Sequence, residues 1–219
     1  MVTFQNIKSD PMIKEYISKA DESLLALGYT EHSFAHVGKV SCSVEYILRS
    51  LNFCEHDIEL GKIAAYMHDI GNLVNRVDHS QSGAIMAFRI LDHMGMGASD
   101  IATVVTAIGN HDEGTGVPVN PIAAALILAD KSDVRRSRVR NQDVSTFDIH
   151  DRVNYSVVGS ELIILEEKRE IHLNLVIETQ YSSVMDYFEI FLNRMILCRK
   201  AAETLGLKFR LIINDQLLL

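Results

Sequence analysis

The sequence predicts a mainly α fold, a helical domain followed by a small α+β extension. Three observations predict it. Apolar residues recur at spacings of three and four through residues 10–135, the helical period. Three prolines in 219 residues leave few forced breaks. Beyond residue 160 the pattern changes to short alternating runs that read as a β-hairpin, followed by one long helical run.

Taken in order, a first helix follows Asp10 and Pro11, a cap and first-turn pair, and ends near Gly28. A second starts at Ser33, with His36, Val40, Val44, Ile47 and Leu51 on its inward line. A third covers residues 55–69, and Gly71 stands just past its end as a stop. Its line through Gly61, Ala64, Ala65 and His68 is made of small residues, which let neighbouring helices approach closely. A fourth runs from His79 to about Met94. A fifth starts after Gly97 and carries Ile101, Val104, Val105 and Ile108 towards His111. A sixth opens at Pro118 or Pro121 and is apolar all round through residues 122–129, so it is expected at the centre. Residues 142–156 are polar and ambiguous. Residues 162–165 and 171–178 form the hairpin arms, with Ile171, Leu173, Leu175 and Ile177 facing one way. A helix over residues 182–205 and a third strand over 209–213 complete the chain. Residues 1–141 are expected to form the helical domain and 142–219 an extension packed on the same core.

Composition excludes several classes. A 47% hydrophobic content supports a sizeable core, and no apolar run approaches the ~18 residues of a membrane span. The N-terminus lacks the basic and apolar regions of a signal peptide. A net charge of −8 disfavours nonspecific binding to a nucleic acid duplex. Cys42, Cys54 and Cys198 are odd in number and widely spaced, which fits reduced thiols in a cytoplasmic protein.

The chemistry concentrates at helix ends. Asp130 follows eight apolar residues, and an isolated ionised carboxylate there would carry a large desolvation cost. It needs a cation, strong donors or a raised pKa. Adjacent His68 and Asp69 leave one helix end about 100° apart and can converge on an ion between helices. His36 and His111 lie on inward stripes, and His79 opens a helix. Of the other His-Asp pairs, His56-Asp57 and His150-Asp151 are assigned to the surface. Imidazole and carboxylate without thiolate suit iron, manganese, cobalt, nickel or magnesium. Two metals bridged by Asp69 would use His36, His68, Asp69, His79, His111 and Asp130 together. The expected activity is metal-assisted hydrolysis, with Asp69, His68 and Lys131 as catalytic groups. Lys131, Arg135, Arg136, Arg138 and His32 are candidates to bind a small phosphorylated substrate.

The ordered set His36, His68-Asp69 and Asp130 resembles the HD-domain metal-dependent phosphohydrolase superfamily, over about half the chain. His79-x-x-x-Gly83-Ala84 resembles the helix start that supplies a second-metal histidine in dinuclear members. Ala107-Ile108-x-x-His111 through Ala129-Asp130 is similar to HD-type diadenosine tetraphosphate hydrolases. The resemblance implies a helical bundle around one or two divalent ions. Asp69 would bridge them, His36, His68 and Asp130 would complete one, and His79 and His111 the other. It implies hydrolysis of a phosphate ester or anhydride, with nucleotides as the leading substrate class. Asn110-His111 replaces the paired histidines of cyclic-dinucleotide phosphodiesterases, and the following loop lacks their tyrosine, which argues against that substrate. Two alternatives stay open: a di-iron oxygenase using the same ligands, and a non-catalytic nucleotide sensor or scaffold that retains the metal. The long C-terminal helix either packs on its own domain or pairs two subunits into a homodimer.

Overall fold

The computed structural model describes residues 2–219. Its helical part is set by caps and by buried lines at helical spacing. Thr3 and Asn6 form a capping box that starts α1 (Phe4–Ser9), a helix the apolar pattern did not announce. Asp10 accepts from the amides of Met12 and Ile13 and opens α2 (Pro11–Ala26), whose buried line is Ile13, Ile17, Ala20 and Leu24. Ser33 caps α3 (Phe34–Ser50), and α4 (Glu55–Met67) follows. A short 3-10 turn (Ile70–Leu73) leads to α5 (His79–His93), α6 (Ala98–Gly109) and α7 (Pro121–Ser132).

Helix α7 has no solvent face over residues 122–129, as its uniform apolarity predicts. It packs against α3, α4, α6 and a later helix, α9 (Val184–Thr204). Helices α3 and α4 approach closely because Gly61 has no side chain. A Cβ there would meet Leu48 and Val44 at 2.8 Å.

The polar stretch left ambiguous by the sequence contains α8 (Ile149–Ser156), capped by Asp148. Strand β1 (Val157–Leu165) pairs antiparallel with β2 (Glu170–Ile177), so the first hairpin arm starts earlier than its apolar core suggested. Helix α9 then crosses over to β3 (Lys208–Ile213), which pairs parallel with β2, and β4 (Gln216–Leu217) turns back on β3. The sheet order is β1-β2-β3-β4. Alternation buries Ile171, Leu173, Leu175 and Ile177 of β2 with Phe209, Leu211 and Ile213 of β3. One cluster of buried apolar side chains runs from Ile7 of α1 to Ile213 of β3. Among the described residues, no helix is long and apolar enough to cross a membrane.

Candidate metal centre

Six side chains from five helix ends converge in this bundle. His36 lies in the first turn of α3, His68 closes α4 and Asp69 begins the 3-10 turn. His79 opens α5, His111 stands two residues beyond α6, and Asp130 occupies the last turn of α7. All four imidazoles and Asp69 are buried.

The imidazole Nε2 atoms meet in two pairs. His36 and His68 approach to 3.3 Å, and His79 and His111 to 3.2 Å. Asp69 stands between them and presents one oxygen to each. Its Oδ2 lies 3.2 Å from His68 and 3.6 Å from His36, while its Oδ1 lies 3.5 Å from His79 and 3.9 Å from His111. Asp130 Oδ1 completes the first group, 3.3 Å from His36 and 3.7 Å from His68. Two triads, His36/His68/Asp130 and His68/Asp69/His111, have ligand atoms close enough to share an ion.

The far side of each ring fixes its tautomer. His68, His79 and His111 each turn Nδ1 to the carbonyl three residues earlier, at Ala65 (2.7 Å), Arg76 (3.0 Å) and Ile108 (2.7 Å). His36 turns Nδ1 to Asp133 Oδ2 at 2.8 Å. An acceptor at Nδ1 requires the proton there, so Nε2 carries a lone pair in the neutral ring. Two lone pairs then face each other at about hydrogen-bond distance, twice over, beside two carboxylates. With both rings of a pair neutral, that arrangement is repulsive, and a proton or a metal ion between the rings relieves it. The electrostatics agree. Burial disfavours a charged His68, yet Asp69 and Asp130 outweigh it and raise the imidazole to about 10. Burial likewise opposes ionisation of Asp69 and Asp130, but His68 beside the first and Lys131 beside the second hold both well below the usual carboxylate range. The donor set, all imidazole and carboxylate, suits a hard or borderline divalent ion.

Asp133 is the group that sequence reading missed. It is 1% exposed and gathers His36, Arg135 Nε (2.9 Å), Lys39 (3.3 Å) and Arg138 (3.7 Å). Its place three residues after Asp130, amid basic residues, is the one sequence signal that could have drawn attention to it.

Beside the ligands opens a cavity of about 510 Å³. Asp69, Asp130, His79 and His111 form part of its wall, and His32, Lys131 and Arg138 also line it. His32 gives its Nδ1–H to Thr30 O at 2.7 Å, and burial pushes its pKa well down, so it is neutral. Lys131 is 4% exposed and paired with Asp130 (2.8 Å) and Glu113 (2.6 Å). Arg135 and Arg136 do not line the cavity, which corrects their assignment as substrate groups. Arg135 is held by Asp133 and Glu31. Arg136 is bonded to Glu178 and the Tyr155 carbonyl and lies over the rings of Tyr155 and Tyr181. Two other cations replace them, Arg76 from the loop before α5 and Arg194 from α9. His150, assigned to the surface with Asp151 from sequence, is exposed, and both residues also line this cavity. His56 is exposed and paired with Asp100, as a surface residue should be.

The HD domain family matches residues 33–153, which contain all six converging residues. The chain belongs to the HD domain family. HD domains typically bind divalent metals, and membership supports a metal-dependent hydrolase in general. No curated protein matches the chain. One solved structure that is similar is described as a "predicted HD superfamily hydrolase" from an uncultured Thermotogales bacterium. It shares 24% identity with a TM-score of 0.44, over 62% of this chain and 75% of that one.

Proposed function

We propose that this HD domain hydrolyses a phosphate ester or anhydride, with nucleotides as the leading substrate class, using two divalent ions that share Asp69. The observation that carries this reading is the two-sided Asp69 carboxylate between two facing imidazole pairs. His36, His68 and Asp130 would hold one ion, and His79 and His111 the other. When bound, such ions supply charge neutralisation at phosphorus and an activated water.

The chain's own residues supply the rest. Arg76, Lys131, Arg138 and Arg194 line the cavity against Asp69, Asp130, Glu113, Asp148 and Asp151. Four cations against five carboxylates leave the wall net negative, and a single divalent ion reverses its sign. An anionic substrate is therefore favoured by the loaded site and disfavoured by the empty one. Burial lowers the Lys131 ammonium, but Asp130 and Glu113 more than offset it and raise its pKa, so it stays charged. It acts as a fixed cation with one N–H left for a phosphoryl oxygen, not as a base. Arg138 gives Nε to Glu31 O and Nη1 to Asp133 O, both at 2.8 Å, which holds its plane while Nη2 stays available. Arg76 lies over the Tyr29 ring, 5.5 Å from its centroid. Leu27, Gly28 and Tyr29 give that end of the cavity an apolar, partly aromatic edge suited to a nucleobase.

The test is metal analysis of protein purified without chelator, followed by a screen of nucleotides, dinucleoside polyphosphates and phosphomonoesters with that metal. Phosphate or nucleotide release that disappears in Asp69→Ala is expected. A loaded protein inactive across the panel, or one that consumes oxygen without releasing phosphate, overturns the reading.

A further inference from the structure

The cavity wall farthest along the chain belongs to α9, in the extension that follows the region matched to the HD family. Two of its residues face the cavity, Phe191 and Arg194. The guanidinium of Arg194 is held in two ways. Its Nε donates to Glu113 Oε1 at 2.8 Å, and its carbon lies over the Phe191 ring, 4.4 Å from the centroid. A salt bridge along one edge and a ring beneath one face together fix the plane of the fork. Nη1 and Nη2 have no hydrogen-bond partner among the described residues, although the side chain is only 23% exposed.

Glu113 does not neutralise this charge alone. Its other oxygen pairs with Lys131, which also pairs with Asp130. Arg194, Glu113, Lys131 and Asp130 therefore form one chain of charges leading from the extension to a candidate metal ligand. Arg194 is its outer end and carries the free donors. Burial opposes the charged guanidinium, but Glu113 and Asp130 raise its pKa further, so the cation persists at any ordinary pH.

We propose that Arg194 binds a phosphoryl group of the substrate through Nη1 and Nη2, so that the C-terminal extension is part of the binding site and sets which phosphorylated compounds fit. This rests on the phosphohydrolase reading above. Glu113 and Phe191 are positioning residues: they aim the fork and touch no substrate. The end-on edge of a guanidinium gives two parallel N–H bonds, which match two oxygens of one phosphoryl group.

The experiment titrates the full-length, metal-loaded protein with inorganic phosphate by calorimetry. Metal content and unfolding temperature are measured on every variant. Arg194→Met weakens phosphate binding about 10- to 100-fold, the range for losing a hydrogen-bonded charge, with metal content unchanged. Arg194→Lys recovers part of the loss, because an ammonium keeps the charge without the fork. Glu113→Gln frees the guanidinium and weakens binding less than Arg194→Met. On any substrate found, the Arg194 variants raise KM more than they lower kcat. Phosphate affinity equal to the wild type in Arg194→Met, or a loss that follows metal content, overturns the assignment of Arg194 and leaves the phosphohydrolase reading intact. Should Arg194→Met not fold, wild-type affinity in a folded Arg194→Lys overturns it equally. Failure of the loaded wild-type protein to bind phosphate or turn over any phosphate ester overturns both.

Discussion

Asp133→Asn is the sharpest perturbation the structure offers outside the six converging residues. The carboxylate accepts the Nδ1 proton of His36 at 2.8 Å and is 1% exposed. Asparagine keeps its volume and one oxygen but replaces the other with an NH2. That oxygen can serve His36 or the Arg135 Nε, now 2.9 Å away, but not both. In either pose a donor faces a donor. If the amide faces His36, the ring is driven to the other tautomer or turned, and its Nε2 lone pair no longer points at the site. Loss of such an orienting partner typically lowers metal affinity about 10- to 100-fold, roughly 1.4 to 2.7 kcal/mol.

Stability falls as well. Breaking a buried ion pair costs about 3–5 kcal/mol, but Lys39 and Arg135 are 41% and 23% exposed and regain water. Arg138 is 5% exposed and does not. The lower end of the range is therefore expected. The assay is metal affinity by competition with a chelator, with urea unfolding of the metal-free protein measured separately. Wild-type metal affinity in a folded Asp133→Asn would refute the argument that Asp133 sets the His36 ring.

Three further outcomes are expected. A Cβ on Gly71 would lie 1.9 Å from the His79 carbonyl and 2.5 Å from the Gly83 amide, both backbone. Gly71→Ala should therefore move α5 and its histidine, losing more than the ~1–3 kcal/mol of ordinary overpacking, with reduced metal stoichiometry, both readable by melting and metal analysis. Chelation should lower the unfolding temperature, since an ion held at 100 times its Kd contributes about 2.7 kcal/mol to the folded state; an unchanged melting curve in chelator would contradict a structural contribution from metal. Burial pushes the Cys198 thiol up to about 12 from its ordinary 9.0. Only Cys42 and Cys54, both exposed, should react with a thiol reagent in the native protein. The buried thiol is favoured in its neutral form, so its contribution to stability is complete below pH 9.0 and is lost as pH rises towards 12. Unfolding measured across that alkaline range in the wild type and in Cys198→Ala checks it.

Local signals carried much of this fold. The caps at Asp10 and Ser33 and the proline at 121 locate helix ends in the sequence as they do in space, whereas Gly71, read as a stop, lies inside the 3-10 turn that follows α4. The uniform apolarity of residues 122–129 gave α7 its central place. The same logic brought six residues from five helix ends to one point, because buried polar side chains at helix ends have few other ways to be satisfied. What sequence did not reveal depends on contacts between distant segments. Arg194 sits on a helix that reads as an ordinary amphipathic stripe, and only the packing of α9 against α7 brings it to the cavity. Arg76 looked like one charge in a short loop. Arg135 and Arg136 looked like phosphate-binding groups by proximity to Asp130 in the chain, yet both are committed to other partners. Helix α1 is six residues long, too short for a periodic pattern, although its Thr3 and Asn6 box was readable.

Three of the four imidazoles are oriented by carbonyls of their own segments, three residues back. Their aim is thus written into the main chain and does not depend on which side chains surround the cavity. The groups that would choose a substrate stand elsewhere, on the turn after α2, the loop before α5, and helices α8 and α9. Such a separation lets selection, or a protein engineer, redraw the recognition surface while leaving the reactive centre undisturbed. Two junctions are exceptions: Asp133, from which His36 and the cavity-lining Arg138 both hang, and Lys131, which ties Glu113 and Arg194 to Asp130.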